Sequence, residues 1–378
     1  MVRLGDVCEI SSSKANLTDD KIWLLNLDMV EQQTGKIISY YYVNKNELNG
    51  SITQFDTENI LYSKLRPNLN KVVVPDRNGF STSELLPLKP NSKILCREYL
   101  ALYLRSDSFV SWAISKTAGA KMPRLGTKAL LDKEIPLPPL DEQRRIAATL
   151  DKVTDLISKR RQQLDKLDEL VKARFVEMFG DPATNPKGWD KGTIRDVVTE
   201  VKYGTSKPAV EGGTYKYLRM GNITYDGHLD LTDLKYIDVP ESELDKCTVK
   251  KGDVLFNRTN SKELVGKTCV YNLDETMVIA GYIIRVRVNN RVLPEYLSAV
   301  LNSSYGKKTL AEMCKAIVGQ ANINAQELQN IQIVIPPLEL QYEFLKVIQK
   351  IEKINLPISR SLEKLQTLKK ALMQEYFG

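Results

Sequence analysis

Histidine is almost absent from this 378-residue chain; His228 is the only one. A histidine ligand set or a serine–histidine triad repeated in both halves is therefore excluded. Cysteine is sparse as well. Cys8, Cys96, Cys247, Cys269 and Cys314 are odd in number, far apart, and form no Cys-x-x-Cys pair. That argues against a disulfide framework or a zinc site, and the five read as isolated reduced thiols in or near cores. No apolar run approaches the roughly 20 residues that span a bilayer. The N-terminus reaches Asp6 before any apolar stretch forms, so neither a signal peptide nor a membrane partner is expected, and the protein is expected to be cytoplasmic. Catalytic signatures are missing too. There is no Walker loop, no Gly-x-Gly-x-x-Gly run, no Asn-Pro-Pro-aromatic motif and no convincing Asp…Glu-x-Lys core. The chain is expected to be non-catalytic.

What is present begins with an ordinary globular composition, 42% hydrophobic and 27% charged, and a net charge of +7. The length suits two or three domains. The basic excess permits a polyanion partner without requiring one.

The strongest signal is an internal repeat. Ile135-Pro136-Leu137-Pro138-Pro139-Leu140-Asp141-Glu142-Gln143 echoes Ile333-Val334-Ile335-Pro336-Pro337-Leu338-Glu339-Leu340-Gln341, at an offset of 198 residues. Glu177-Met178-Phe179-Gly180 echoes Glu375-Tyr376-Phe377-Gly378 at the same offset. Upstream the echoes are weaker and the offset drifts: Leu4-Gly5-Asp6-Val7 with 194–197, Asn59-Ile60-Leu61-Tyr62 with 253–256, and Glu98-Tyr99-Leu100 with 295–297. Drifting offsets mean loop insertions, as expected where function varies. Each half is thus a variable domain followed by a segment of fixed length. The implied layout is a first head over 1–137, a helix over 138–180, a linker over 181–188, a second head over 189–335 and a second helix over 336–378.

The fixed segments read as helices. Each opens after a Pro-Pro pair and a carboxylate, Asp141 or Glu339, which suits a helix start. Gly180 followed by Pro182 is a stop signal. Between them the apolar residues follow a heptad: Ile146, Leu150, Val153, Ile157, Leu164, Leu167, Val171 and Met178 in the first segment. The second offers Phe344, Ile348, Ile351, Ile358, Leu362, Leu365, Leu372 and Tyr376. Shifted by 198, the copies keep one register, which argues for a coiled coil. Arg160, Arg174, Asn355 and Lys369 interrupt the seam, and Pro357 should kink or break the second helix. The alternative is that each helix packs on its own head. A short linker, with equivalent halves, requires the second helix to return antiparallel beside the first. The predicted fold is α+β, with two similar heads related by a pseudo-two-fold and separated by two long antiparallel helices.

In the heads, 22–25, 60–62, 71–74, 215–219, 254–256 and 282–286 read as strands, and 98–106 and 294–302 as helices. His228 falls in a turn. Tyr40-Tyr41-Tyr42 reads as a strand that is partly core. Between the strands lie loops rich in basic, amide and hydroxyl groups, the side chains that bond phosphates and base edges. The candidates for contact with DNA are Lys64, Arg66, Asn68, Asn70, Lys71, Lys121 and Arg124 in the first head. In the second they are Tyr203, Thr205, Ser206, Lys207, Arg219, Asn222, Asn257, Arg258, Asn260, Ser261, Lys262, Gln320, Asn322 and Asn324. Each of these also fits an ordinary solvated loop.

A Pro-Pro-Leu-x-x-Gln element opening a long helix that closes on Phe-Gly occurs twice, from Pro138 to Gly180 and from Pro336 to Gly378. It resembles the specificity subunits of type I restriction-modification enzymes. Gly252-Asp253-Val254-Leu255-Phe256-Asn257-Arg258-Thr259-Asn260-Ser261 and Val318-Gly319-Gln320-Ala321 resemble that family's target-recognition domains. In the first head, 64–71 stands where that Asn-Arg-Thr-Asn-Ser run is expected. The resemblance implies that each head binds one half of a bipartite, asymmetric target in double-stranded DNA. It implies that the helices set the spacing and dock two methyltransferase subunits, with motor-nuclease subunits completing the enzyme. S-adenosylmethionine, ATP and magnesium would then belong to those partners, and this chain would bind no cofactor. Two other classes remain open: a fused methyltransferase or nuclease without recognisable motifs, and a coiled-coil scaffold that joins protein partners without reading DNA.

Overall fold

A computed structural model describes residues 1–11, 20–47, 51–119, 121–261, 264–314 and 321–378. The architecture is α+β. It divides into two compact units. One comprises Met1–Arg161 with Arg360–Gly378, the other Gln162–Ser359.

The first unit holds two four-stranded sheets. One runs in the order Cys8–Ile10, Leu85–Pro90, Ile60–Ser63, Val72–Val73, antiparallel throughout. The other runs Tyr42–Asn44, Lys21–Leu25, Gly79–Thr82, Ile52–Phe55, with a parallel pair at its centre where Leu24 faces Phe80. The strand Ile60–Ser63 is buried at every position, as an interior strand covered on both faces must be. Val2–Arg3 pairs with Glu134–Ile135, so the start of the head is zipped to the strand that leads into the long helix. The main core gathers Leu4, Ile60, Leu88, Tyr99, Leu100, Leu104 and Phe109.

The second unit repeats this plan. Its sheets run Val198–Tyr203, Ile283–Val288, Val254–Asn257, Thr268–Val270, and Lys235–Ile237, Tyr215–Leu218, Met277–Ile279, Thr248–Val249. The central pair of the latter is again parallel, and Asp190–Thr193 pairs with Gln332–Ile335 at the head's entrance and exit. Strand for strand, the two heads share order and direction.

The fixed segments are helices of 40 residues each, Leu140–Phe179 and Leu338–Phe377, a rise of about 60 Å. The glutamine of each opening motif explains why it is there. Gln143 is fully buried. Its side-chain oxygen accepts from the Cys96 amide at 2.8 Å, and its nitrogen donates to the carbonyls of Ile94 (2.9 Å) and Pro138 (2.8 Å). Gln341 makes the same set with Leu293 (2.8 Å), Arg291 (3.1 Å) and Pro336 (2.8 Å). Each glutamine clasps the N-terminus of a head helix, Arg97–Leu104 or Pro294–Asn302, to the first turn of a long helix. Such a clasp satisfies backbone groups that burial would otherwise orphan.

The Phe-Gly ends are equally specific. Phe179 is fully buried in the second unit, edge-on to Tyr296 at 4.9 Å and to Phe344 at 5.3 Å. Phe377 is buried in the first unit against Tyr99 at 5.3 Å and Tyr103 at 6.0 Å. Gly180 adopts φ +79°, the left-handed conformation that ends a helix and favours glycine. Trp189 then caps that end, its indole N–H donating to the Phe179 carbonyl at 2.9 Å.

Along the predicted seam, Ile146 and Leu150 belong to the first unit's core, with Leu372 and Tyr376 packed on it. Phe344 belongs to the second unit's core, with Val171, Met178 and Ile348 packed on it. Val153, Ile157 and Ile351 are buried, and Leu164, Leu167, Ile358, Leu362 and Leu365 half-buried. Arg174 departs from the seam reading: it is exposed and ion-paired with Glu177 at 2.6 Å. Pro357 does not break the second helix, which continues through it; one missing amide donor is tolerated within many intact turns.

Tyr40, Tyr41 and Tyr42 are exposed, not core, and only Tyr42 lies in a strand. Tyr40 lies instead over the Trp23 ring at 5.3 Å, with the Arg77 guanidinium 4.3 Å above it. His228, in its turn, reaches Asp168 of the first long helix at 3.0 Å within the second unit. That carboxylate holds the imidazole pKa above its ordinary value.

Candidate nucleic-acid interface

In the second head the polar loops converge on a strand crossing. The strand Val254–Asn257 runs on to Thr259–Asn260, which pairs with Ala321–Asn322. Arg258 sits at the junction. Its amide donates to the Tyr282 carbonyl and its own carbonyl accepts from the Ile323 amide, both at 2.9 Å. Its guanidinium lies 4.9 Å over the ring of Tyr203, a cation–π geometry. The Tyr203 hydroxyl in turn accepts from the Ala325 amide at 2.7 Å.

The loop 203–207 is stitched beside this junction. The Thr205 amide donates to the Ile279 carbonyl at 2.9 Å, and the Gly281 amide donates to Thr205 at 2.7 Å. The approach requires glycine: a Cβ on Gly204 would lie 2.1 Å from the Ile279 carbonyl oxygen. Tyr203, Ser206, Lys207, Glu243, Lys246 and Arg258 line a cleft of about 570 Å³. Lys207 pairs with Glu243 at 3.0 Å, whereas Ser206 and Lys246 are exposed.

The first head carries the same crossing with other side chains. Leu65 bridges Arg124 as Thr259 pairs with Asn322. The Lys64 amide donates to Glu84 (3.1 Å) and its carbonyl accepts from Leu125 (2.9 Å), so Lys64 occupies the place of Arg258, Glu84 that of Tyr282, and Arg124 that of Asn322. Here Arg124 is held by Glu84, Nε at 3.2 Å and Nη2 at 3.1 Å. Arg66 is exposed at φ +49°, and Lys121 and Asn68 are exposed nearby.

Several sequence candidates are committed to the fold itself. Asn70 is buried and donates to the Arg105 carbonyl at 3.0 Å. Lys71 bonds the Leu27 carbonyl, and burial lowers its pKa. Asn222 is buried, accepting from the Arg219 amide and donating to the Asp230 carbonyl, each at 2.8 Å. Arg219 pairs with Asp233 at 2.8 Å. Asn324 caps the helix Ala325–Gln329, accepting from Gln326 and Glu327 at 2.9 Å. Asn257 is fully buried behind the crossing. Asn260 and Ser261 are half-buried and Asn322 is exposed at the crossing. Lys262 and Gln320 lie outside the described residues.

Glu84, Lys246 and Tyr282 were not among the sequence candidates. Glu84 and Tyr282 are themselves separated by the repeat's own 198 residues, a signal that a search for basic and amide groups passes over.

Residues 1–168 and 186–368 match the family of the type I restriction modification DNA specificity domain. Among curated relatives, the type I restriction enzyme EcoKI specificity subunit of Escherichia coli (strain K12) is 24% identical over 77% of this chain and 66% of its own length. The MjaVIII specificity subunit of Methanocaldococcus jannaschii is 25% identical over 79% of this chain and 73% of its own. The chain thus spans just under two thirds of the EcoKI subunit. A solved type I restriction-modification S subunit from M. genitalium shares the fold at a TM-score of 0.58 and 14% identity, covering 100% of this chain and 95% of that one. A chain solved in work on assembly and conformational transition of the type I system does so at 0.55 and 21% identity, covering 100% and 96%. With both halves matched, the chain belongs to the type I restriction modification DNA specificity domain family.

Proposed function

We propose that this chain is the non-catalytic DNA-specificity subunit of a type I restriction-modification system. Each head, 1–137 and 189–335, reads one half of a bipartite, asymmetric duplex target. The helices 138–180 and 336–378 pair antiparallel as a coiled coil, set the spacing between the half-sites, and dock two methyltransferase subunits. Motor-nuclease subunits complete the enzyme. S-adenosylmethionine, ATP and magnesium are bound by those partners.

The observation that carries this reading is the duplicated strand crossing. Two heads of one topology present different side chains, Lys64, Glu84 and Arg124 against Arg258, Tyr282 and Asn322, at the same backbone positions. One scaffold with unlike polar tips suits two unlike base sequences. The relatives, named as specificity subunits, support the same reading.

The test is a mobility shift on duplex DNA with the chain assembled with its methyltransferase subunit. Retardation that weakens linearly in log K against log salt is expected, since phosphate contacts release counterions. Assembly with the methyltransferase but no retardation at low salt would make the chain a scaffold and overturn the reading.

A further inference from the structure

We propose that Arg258 is a specificity-determining residue that reads a guanine in the half-site of the second head. The proposal deepens the DNA-reading function above and rests on it.

Three observations single out this side chain. First, its backbone is held on both sides, by Tyr282 and by Ile323, so the root of the side chain is fixed. Second, its guanidinium lies over Tyr203 at 4.9 Å, and Tyr203 is itself tied to the Ala325 amide. A cation–π contact with a tethered ring restrains the guanidinium before any ligand arrives, which lowers the ordering cost of a directional contact. Third, Arg258 has no carboxylate partner among the described residues. Other arginines of this head do: Arg219 with Asp233, Arg285 with Glu200, and Arg287 with Glu200 and Asp253. Its Nε is buried with no hydrogen-bond partner among the described residues.

A restrained guanidinium at the rim of an open cleft, its terminal nitrogens without a hydrogen-bond partner among the described residues, has the chemistry for the two acceptors, O6 and N7, that guanine presents in the major groove. A phosphate contact needs only positive charge, for which exposed Lys246 serves. At the equivalent position the first head has Lys64, a point charge without the planar fork; Arg124 is occupied by Glu84, and exposed Arg66 lies over no aromatic ring among the described residues that would preset its fork. The guanine contact is therefore assigned to one head only.

The experiment uses the full chain assembled with its methyltransferase subunit. The target motif is first established for the wild type by sequencing modified bases in cells. Binding is then competed with duplexes carrying every base pair at each motif position. A wild-type complex without any sequence preference would sink the DNA-reading function itself, before a variant is made. Given a motif, Arg258→Ala is expected to lower discrimination at one guanine of one half-site by roughly ten- to hundred-fold, the range of a bidentate arginine–guanine contact. Arg258→Gln should move that preference towards adenine, which glutamine recognises, a gain that misfolding cannot imitate. The other half-site should stay unchanged in both variants. Uniform weakening across all sequences, with a salt slope shallower by about one, would mark a phosphate contact and overturn the proposal. So would an Arg258→Gln protein that keeps the wild-type guanine.

Discussion

Replacing Gln143 with leucine isolates the clasp between head and long helix. The two side chains are similar in volume, so packing is largely kept while three hydrogen bonds are lost. The orphaned groups are the Cys96 amide and the carbonyls of Ile94 and Pro138, which had bonded at 2.8, 2.9 and 2.8 Å. Gln143 is fully buried, so water does not readily replace these partners. At about 1 kcal/mol per net hydrogen bond, and more where a group stays buried and unpaired, the loss is roughly 2–4 kcal/mol. For a unit of roughly 180 residues, each kcal/mol lowers the melting temperature by about 2–4 °C. Scanning calorimetry of Gln143→Leu should therefore show a first-unit transition lowered by roughly 5–15 °C. Hydrogen exchange should show the Cys96 amide losing protection. Gln341→Leu should act on the second unit in the same way, through Leu293, Arg291 and Pro336. A shift of less than about 2 °C, with Cys96 still protected, would refute the clasp.

Phe377→Ala should destabilise the first unit by about 3–5 kcal/mol, because Phe377 is buried against Tyr99 and Tyr103; unfolding followed by exchange should find the loss there and not around Tyr296. Phe179→Ala should do the reverse, and equal loss in both units from either change would contradict the packing. Burial pushes the Lys307 ammonium down to about 8, with Lys172 adding to the shift and Asp226 opposing it. Between about 8 and the ordinary value of 10.5 the unfolded chain then binds more protons than the folded one. Stability of the second unit should rise with pH across that window, and Lys307→Met should flatten the rise in urea titrations; parallel curves would refute it. Deleting one heptad from both long helices should change the number of unspecified base pairs between half-sites, read by sequencing modified bases, and an unchanged spacing would sink the role of the helices as a ruler.

The helices were legible because their signal is local and repeated. Pro-Pro at one end, Phe-Gly at the other and a heptad between them locate Leu140–Phe179 and Leu338–Phe377 almost to the residue. The individual strands were legible as short apolar runs, but their order was not. Pairings such as Leu24 with Phe80 join residues far apart in sequence, and short strands carry no mark of a partner. The glutamine clasp shows the same limit. Gln143 and Gln341 stand out by repetition, yet their role depends on backbone groups 47 to 50 residues upstream. In the heads, chemistry alone cannot separate an amide that meets a ligand from one that holds a loop. Asn322 and Asn70 look alike in sequence; one is exposed at the strand crossing and the other is buried, donating to the Arg105 carbonyl. Tyr40-Tyr41-Tyr42 misled for a related reason, since aromatic residues in a short strand suggest core until a cationic stack such as Arg77 on Tyr40 is seen.

The two heads are proposed to be separate readers. Sequencing modified bases in cells that carry the methyltransferase subunit measures this directly. The comparison is between the wild-type chain and a chimera whose residues 190–330 come from another member of the family. A bipartite motif is predicted for the wild type, and for the chimera a motif in which one half changes while the other half and the spacing stay. A change in both halves, or a motif that is not bipartite, would contradict it.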